Sequence, residues 1–144
     1  MMAFDAVYEL VMAYGEYLEA EDYSVEKTEA LFTENAKMLF AMGGPGQGIP
    51  EIAEKHKGMT GPFIEVTHNI SNVVVRNTGT DIADIRFHME VLHQFRPEFA
   101  EKTPGNLFIV NDRIQAKAVL TSDGWKFSEM EMNTVFKRMA NTIE

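Results

Sequence analysis

Four side chains in this sequence could handle protons in an enclosed space: His68, His93, Asp112 and Tyr14. An imidazole changes charge near neutral pH, a carboxylate on an apolar surface demands a partner, and a phenol donates without carrying charge. Strand alternation brings three of them together. Ile85, Phe87, Met89, Val91 and His93 share one parity and oppose Arg86, His88, Glu90 and Gln94, so His93 faces the apolar side. Phe108, Val110, Asp112, Ile114, Ala116 and Ala118 oppose Asn111, Arg113, Gln115 and Lys117, making Asp112 the one charge on an apolar face. His68, Ile70, Asn72 and Val74 also share a parity; if Ile70 and Val74 point inward, so do His68 and Asn72. With the Tyr14 hydroxyl arriving from a helix, these groups predict a polar cluster, walled by Met89 and Val91, inside an apolar cavity suited to a small molecule.

The elements that must position them are legible in the spacing. Phe4, Val7, Tyr8, Val11, Tyr14 and Leu18 recur every three or four residues, predicting a helix over 4–20. Ser24 suits an N-cap, and Val25, Thr28, Leu31 and Phe32 carry a second, shorter helix ended by Thr33-Glu34-Asn35. Ala36 to Ala41 predicts a short strand, and Gly43-Gly44-Pro45-Gly46-Gln47-Gly48 a flexible loop placed to act as a cavity lid. Pro50 then opens a helix carrying Ile49, Ile52, Ala53 and His56 and closed by Gly58. His56 and His88 read most simply as surface residues.

After that helix the period changes from 3.6 to 2. Phe63–Arg76, Ile82–Phe95, Leu107–Leu120 and Trp125–Phe136 predict four long strands of one antiparallel sheet. Asn77-Thr78-Gly79 and Ser122-Asp123-Gly124 predict hairpin turns, and Arg96–Gly105 a loop near the cavity mouth. Helices first and strands afterwards predict an α+β fold, with N-terminal helices on a strongly curved sheet and residues 1–144 forming one domain.

Composition narrows the function classes. Thirteen Lys and Arg against 22 Asp and Glu give a net charge of −9, of which −8 lies in residues 1–35, with nine acids and one base. Such a chain repels a phosphate backbone, so no nucleic-acid partner is expected. Cys is absent, which excludes thiolate nucleophiles and thiolate metal sites. No His sits at a spacing such as His-Glu-x-x-His, and the glycines match no phosphate-binding pattern, so neither metal nor cofactor is expected. With no long apolar run and no signal-peptide pattern, no membrane partner is expected and a cytoplasmic location is.

Particular residues carry a resemblance. Tyr14-Gly-Glu-Tyr-Leu-Glu19-Ala-Glu-Asp22, Leu31-Phe32-Thr33-Glu34-Asn35-Ala36, His68-Asn-Ile-Ser-Asn72 and Asp123-Gly124-Trp125-Lys126-Phe127, in this order, resemble SnoaL-like proteins of the nuclear-transport-factor-like superfamily. The resemblance implies a cystatin-like α+β cone enclosing a pocket. It is nearest to the bile-acid dehydratase and scytalone dehydratase branch, where a helix Tyr, an acid five residues later and a first-strand His resemble Tyr14, Glu19 and His68. Glu19 stands where that branch has Asp, and Val91 where the bile-acid enzymes carry another Asp. His93, on the same face, resembles the second histidine of scytalone dehydratase. Ketosteroid isomerase fits poorly, since Met38-Leu39-Phe40-Ala41 offers no carboxylate for a base.

The resemblance implies a cofactor-free lyase or isomerase acting on a hydrophobic polycyclic or aromatic hydroxy-ketone. His68 would be the base, oriented by Glu19; Tyr14 would donate to the enolate oxygen, and His93 or Asp112 would serve the leaving group. Asn72, Asp112, Val91 and Met89 would contact the substrate. The alternative is a non-catalytic cone that binds an apolar ligand or mediates protein interaction. A homodimer through the sheet is expected in both cases.

Overall fold

The computed structural model describes residues 3–76 and 79–142. The long N-terminal helix α1 (Ala3–Ala20) buries Val7, Leu10, Val11, Tyr14, Tyr17 and Leu18. Its stripe is rotated from the one expected: Phe4 and Tyr8 stay exposed and stack on each other, because Leu10 and Tyr17 widen the buried face on the other side. Helix α2 (Val25–Glu29) begins where the Ser24 side chain accepts from the backbone N–H of Lys27. It is shorter than the periodicity implied, since Phe32 already belongs to strand β1 (Phe32–Phe40).

The glycine block corrects a second expectation. Gly44–Gln47 is strand β2, paired antiparallel with β1, and none of residues 43–48 lines the enclosed cavity; the block is sheet edge, not lid. Gly44 supplies the positive φ of the turn between the two strands. Helix α3 (Ile49–Gly58) follows, with Pro50 in its first turn. Then come β3 (Phe63–Arg76), β4 (Ile82–Phe95), a short helix α4 (Pro97–Ala100) within the expected loop, β5 (Leu107–Thr121) and β6 (Gly124–Ala140). Asn77 and Thr78 of the first hairpin turn lie outside the described residues.

The sheet order is β2-β1-β6-β5-β4-β3, open at both edges. The four long strands are antiparallel, as alternation implied, but β1 joins β6 in parallel, so the sheet is mixed. That pairing is between chain-distant strands, which local periodicity does not report. Helix α1 packs across the inner face, and Tyr14 is enclosed by the rings of Tyr17, Phe32, His56, Phe87 and Phe127.

The outer face has the opposite character. Across the strands the register runs Gln47, Lys37, Glu129, Lys117, Asp84, Arg76, so charge alternates over five strands. Each acid of this row lies between two bases, an arrangement worth a few tenths of a kcal/mol per pair and one that keeps the face wet. Among the described residues no helix is long and apolar enough to cross a membrane.

One close approach holds the start of β5 against the end of β6. A Cβ on Gly105 would run into the carbonyl oxygen of Ala140 well inside van der Waals distance. Gly105→Ala is therefore expected to cost about 1–3 kcal/mol, read as a lower urea midpoint. An unchanged midpoint would mean that the backbones are not in contact there.

Candidate active site

Between the inner face of the sheet and α3 lies a cavity of about 310 Å³. Strand register sets its floor in three rows: Val66, His93, Phe108; then His68, Val91, Val110; then Ile70, Met89, Asp112, Thr134. His68, His93 and Asp112 thus surround the apolar pair Val91 and Val110. Met42, Met59, Met89 and Met132 line the walls, so four of the ten methionines serve the cavity as adaptable packing. A larger open trough of about 1030 Å³ crosses the outer face, but no imidazole lines it and charged residues ring it. The acid–base groups belong to the enclosed cavity.

His68 sits there through an acid from the end of α1. Glu19 Oε1 accepts the backbone N–H of His68 at 2.6 Å and lies 3.5 Å from its Nδ1. That nitrogen is buried and, among the described residues, has no hydrogen-bond partner. With Nδ1 turned to the carboxylate, Nε2 is left for the cavity. Burial lowers the His68 pKa below the ordinary imidazole value; Glu19 opposes that shift and His93 adds to it. His68 is therefore neutral, and able to accept a proton, at neutral pH.

His93 is held between Phe63 and Phe108, and its Nδ1 donates to the Phe108 carbonyl at 2.9 Å, leaving Nε2 as an acceptor. Burial lowers its pKa, partly offset by that hydrogen bond and by Asp112. Asp112 accepts from the Thr134 hydroxyl at 2.8 Å; burial pushes its pKa up against the effects of Thr134 and His93. Met89 and Val91 line the cavity as expected from their parity.

Two placements differ from expectation. Asn72 is on the outer face: the register of β3 shifts between Ser71 and Val74, Asn72 takes φ 54°, and its amide meets His88 Nδ1 at 3.2 Å. The bulge inverts parity beyond it, so Val73 and Val75 pack inward in place of Val74. His56 is the converse case. Expected at the surface, it is fully buried and lines the cavity, with Tyr14, Tyr17, Tyr23, Phe32 and Phe40 around its ring. Its position seven residues after Ile49 on the buried face of α3 was the signal.

His56 also decides what Tyr14 can do. Its Nδ1 donates to the Ile52 carbonyl at 2.9 Å, so its Nε2 is an acceptor, and the Tyr14 hydroxyl donates to it at 3.0 Å. Burial pushes His56 down to about 4 and Tyr14 well up. Tyr14 is fully buried and absent from the cavity wall, so its proton is committed to His56 rather than free for a substrate oxygen. Among the described residues no group of three His, Cys, Asp or Glu side chains could hold a metal ion.

The family model of the SnoaL-like domain matches residues 3–131, which include every side chain of the site except Met132 and Thr134. The chain belongs to the SnoaL-like domain family. Several solved structures share this architecture. A candidate scytalone dehydratase from Novosphingobium aromaticivorans has a TM-score of 0.78 at 21% identity, over 97% of this chain and 92% of that one. A hexachlorocyclohexane dehydrochlorinase, LinA type 2, has 0.80 at 12% identity over 97% and 90%. A protein with a cystatin-like fold from Caulobacter vibrioides has 0.73 at 17% identity over 93% and 90%. At such identities the likeness establishes a cystatin-like α+β fold. No curated protein matches the chain.

Proposed function

We propose that this SnoaL-like chain is a cofactor-free lyase or isomerase that removes a proton next to the carbonyl of a small hydrophobic hydroxy-ketone. The observation carrying the proposal is the pairing of His68 with Glu19 at the edge of an enclosed cavity. His68 Nε2 takes the proton; the electron pair moves toward the carbonyl oxygen; Glu19 stabilises the imidazolium that forms. With Tyr14 committed to His56, the donor for the developing enolate is Asp112 in its protonated form, which burial favours. In a dehydration, the His68 imidazolium returns its proton to the departing hydroxyl, and water leaves. In an isomerisation the same proton returns to another carbon. A volume at the small end of ligand pockets favours one or two fused rings over four.

The proposal requires neutral His68 and protonated Asp112 together. His68 loses its base form as pH falls through its lowered pKa, and Asp112 loses its donor form as pH rises through its raised one. The profile of kcat/KM is therefore a bell lying to the acid side of an ordinary imidazole-dependent enzyme. The test follows water loss from a panel of bicyclic hydroxy-ketones across pH. Asp112→Asn keeps a donor that cannot ionise, so the alkaline fall is expected to disappear. An alkaline limb left in place by Asp112→Asn would remove Asp112 from the mechanism. A cavity that binds the panel and turns over none of it would make the chain a binding protein.

A further inference from the structure

Among the described residues six side chains with polar atoms line the cavity, and the five other than Asp112 each bring a hydrogen that could be donated. Each of those five hydrogens is directed at the protein itself. The Tyr23 hydroxyl donates to the Leu18 carbonyl at 3.1 Å, and the Thr60 hydroxyl to the Lys57 carbonyl at 2.9 Å. His56 donates to Ile52 and His93 to Phe108, each through Nδ1 at 2.9 Å, while His68 turns Nδ1 toward Glu19. Asp112, the sixth, receives the Thr134 hydroxyl on one oxygen, and the hydrogen of its protonated form is the one the proposed reaction turns to the carbonyl oxygen. Among the described residues no Lys or Arg lines the cavity. Apart from that Asp112 hydrogen the wall therefore offers lone pairs, most openly at His68 Nε2 and His93 Nε2, set among aromatic and methionine surface.

From this we infer that the cavity selects an uncharged one- or two-ring ligand that donates hydrogen bonds from at least two hydroxyl groups. The inference rests on the same cavity as the proposed activity and deepens it by naming the ligand class. An anion finds no cation and few free donors, and its desolvation would go uncompensated. A purely apolar ligand of the same shape would strip water from two imidazole acceptors and leave them unpaired, a cost of about 1–3 kcal/mol for each. A ligand hydroxyl facing each imidazole removes that cost. His68 then receives a substrate hydroxyl before it receives a carbon-bound proton, and His93 fixes the other end of the molecule.

The experiment measures binding to the intact protein at pH 7.5, by calorimetry or fluorescence, with four naphthalenes of similar shape. These are 2,7-dihydroxynaphthalene, 2,7-dimethylnaphthalene, 2-naphthoate and 2-(aminomethyl)naphthalene. The diol is expected to bind about tenfold more tightly than each of the others, as two modest hydrogen bonds allow. His93→Phe keeps a ring between Phe63 and Phe108 and removes the acceptor. It is expected to lower the affinity for the diol by about fivefold to tenfold and to leave that for the dimethyl compound unchanged or raised. Should this variant fail to fold, the comparison of the four ligands on the unaltered protein decides by itself. The inference is overturned if the dimethyl compound, the naphthoate or the ammonium ligand matches the diol, or if no naphthalene binds. Selective binding of the diol without turnover of any hydroxy-ketone would leave this inference standing and sink the catalytic one.

Discussion

His68→Gln is expected to lower kcat/KM for proton removal by about 10²–10⁴-fold, the usual contribution of a positioned general base. Gln is close in size and polarity, so the cavity survives, and it cannot take a proton. The backbone N–H of residue 68 remains, so Glu19 keeps its 2.6 Å hydrogen bond and the end of α1 stays anchored to β3. Substrate affinity should therefore change less than the rate. Stopped-flow or steady-state measurement of water loss, with circular dichroism as a check on folding, reads both. Activity retained within a few-fold would remove His68 from the reaction. The 3.5 Å separation between Nδ1 and Glu19 is long for a hydrogen bond, and catalytic hydrogen bonds commonly tighten when substrate enters.

The second large effect concerns stability. His56 is held neutral, with a pKa of about 4 against an ordinary 6.5. Between those values the unfolded chain binds a proton at this residue and the folded chain does not, so stability rises with pH across that window. Full benefit is present above about pH 6.5 and is lost as pH falls toward 4, a change on the order of 3 kcal/mol from this residue alone. His68 and His93, also lowered by burial, act in the same direction. His56→Gln isolates the effect. Gln can still accept from Tyr14, yet it does not titrate, so urea unfolding at pH 4.5 and 7.5 should differ less in the variant than in the parent. Equal pH dependence in the two proteins would mean that His56 is not buried as a neutral ring.

The physics of a strand explains how far the site could be read beforehand. Side chains alternate with a period of two wherever pairing is regular; β4 keeps alternate residues buried as far as His93, and β5 does so from Val110 through Asp112 to Ala118. Their inward placement follows from neighbours one or two positions away. Asn72 was misplaced because one inserted residue at a bulge reverses that count, and no residue type in His68-Asn-Ile-Ser-Asn72 marks the insertion unambiguously. The helix carrying His56 was read correctly, and so was its buried stripe; His56 was set aside because its residue type outweighed its spacing. Burial of an imidazole depends on partners, and these lie 42 residues away in Tyr14 and four away in the Ile52 carbonyl.

The sequence by itself determined the three N-terminal helices, the four long strands, the α+β class and the inward parity of His93 and Asp112, because these follow from local periodicity; it tied His68 to Ile70 and Val74 together, and only Ile70 shares its face. Only the tertiary structure decided which hydrogen each polar group has left to give. Tyr14 as a free donor and Tyr14 bound to His56 are identical in sequence, and so are a cavity of donors and a cavity of acceptors. Hydrogen bonds are short and directional, so their partners are set by which distant elements meet. In this protein the meeting of α1, α3 and β3 places Glu19 against His68 and commits Tyr14 to His56.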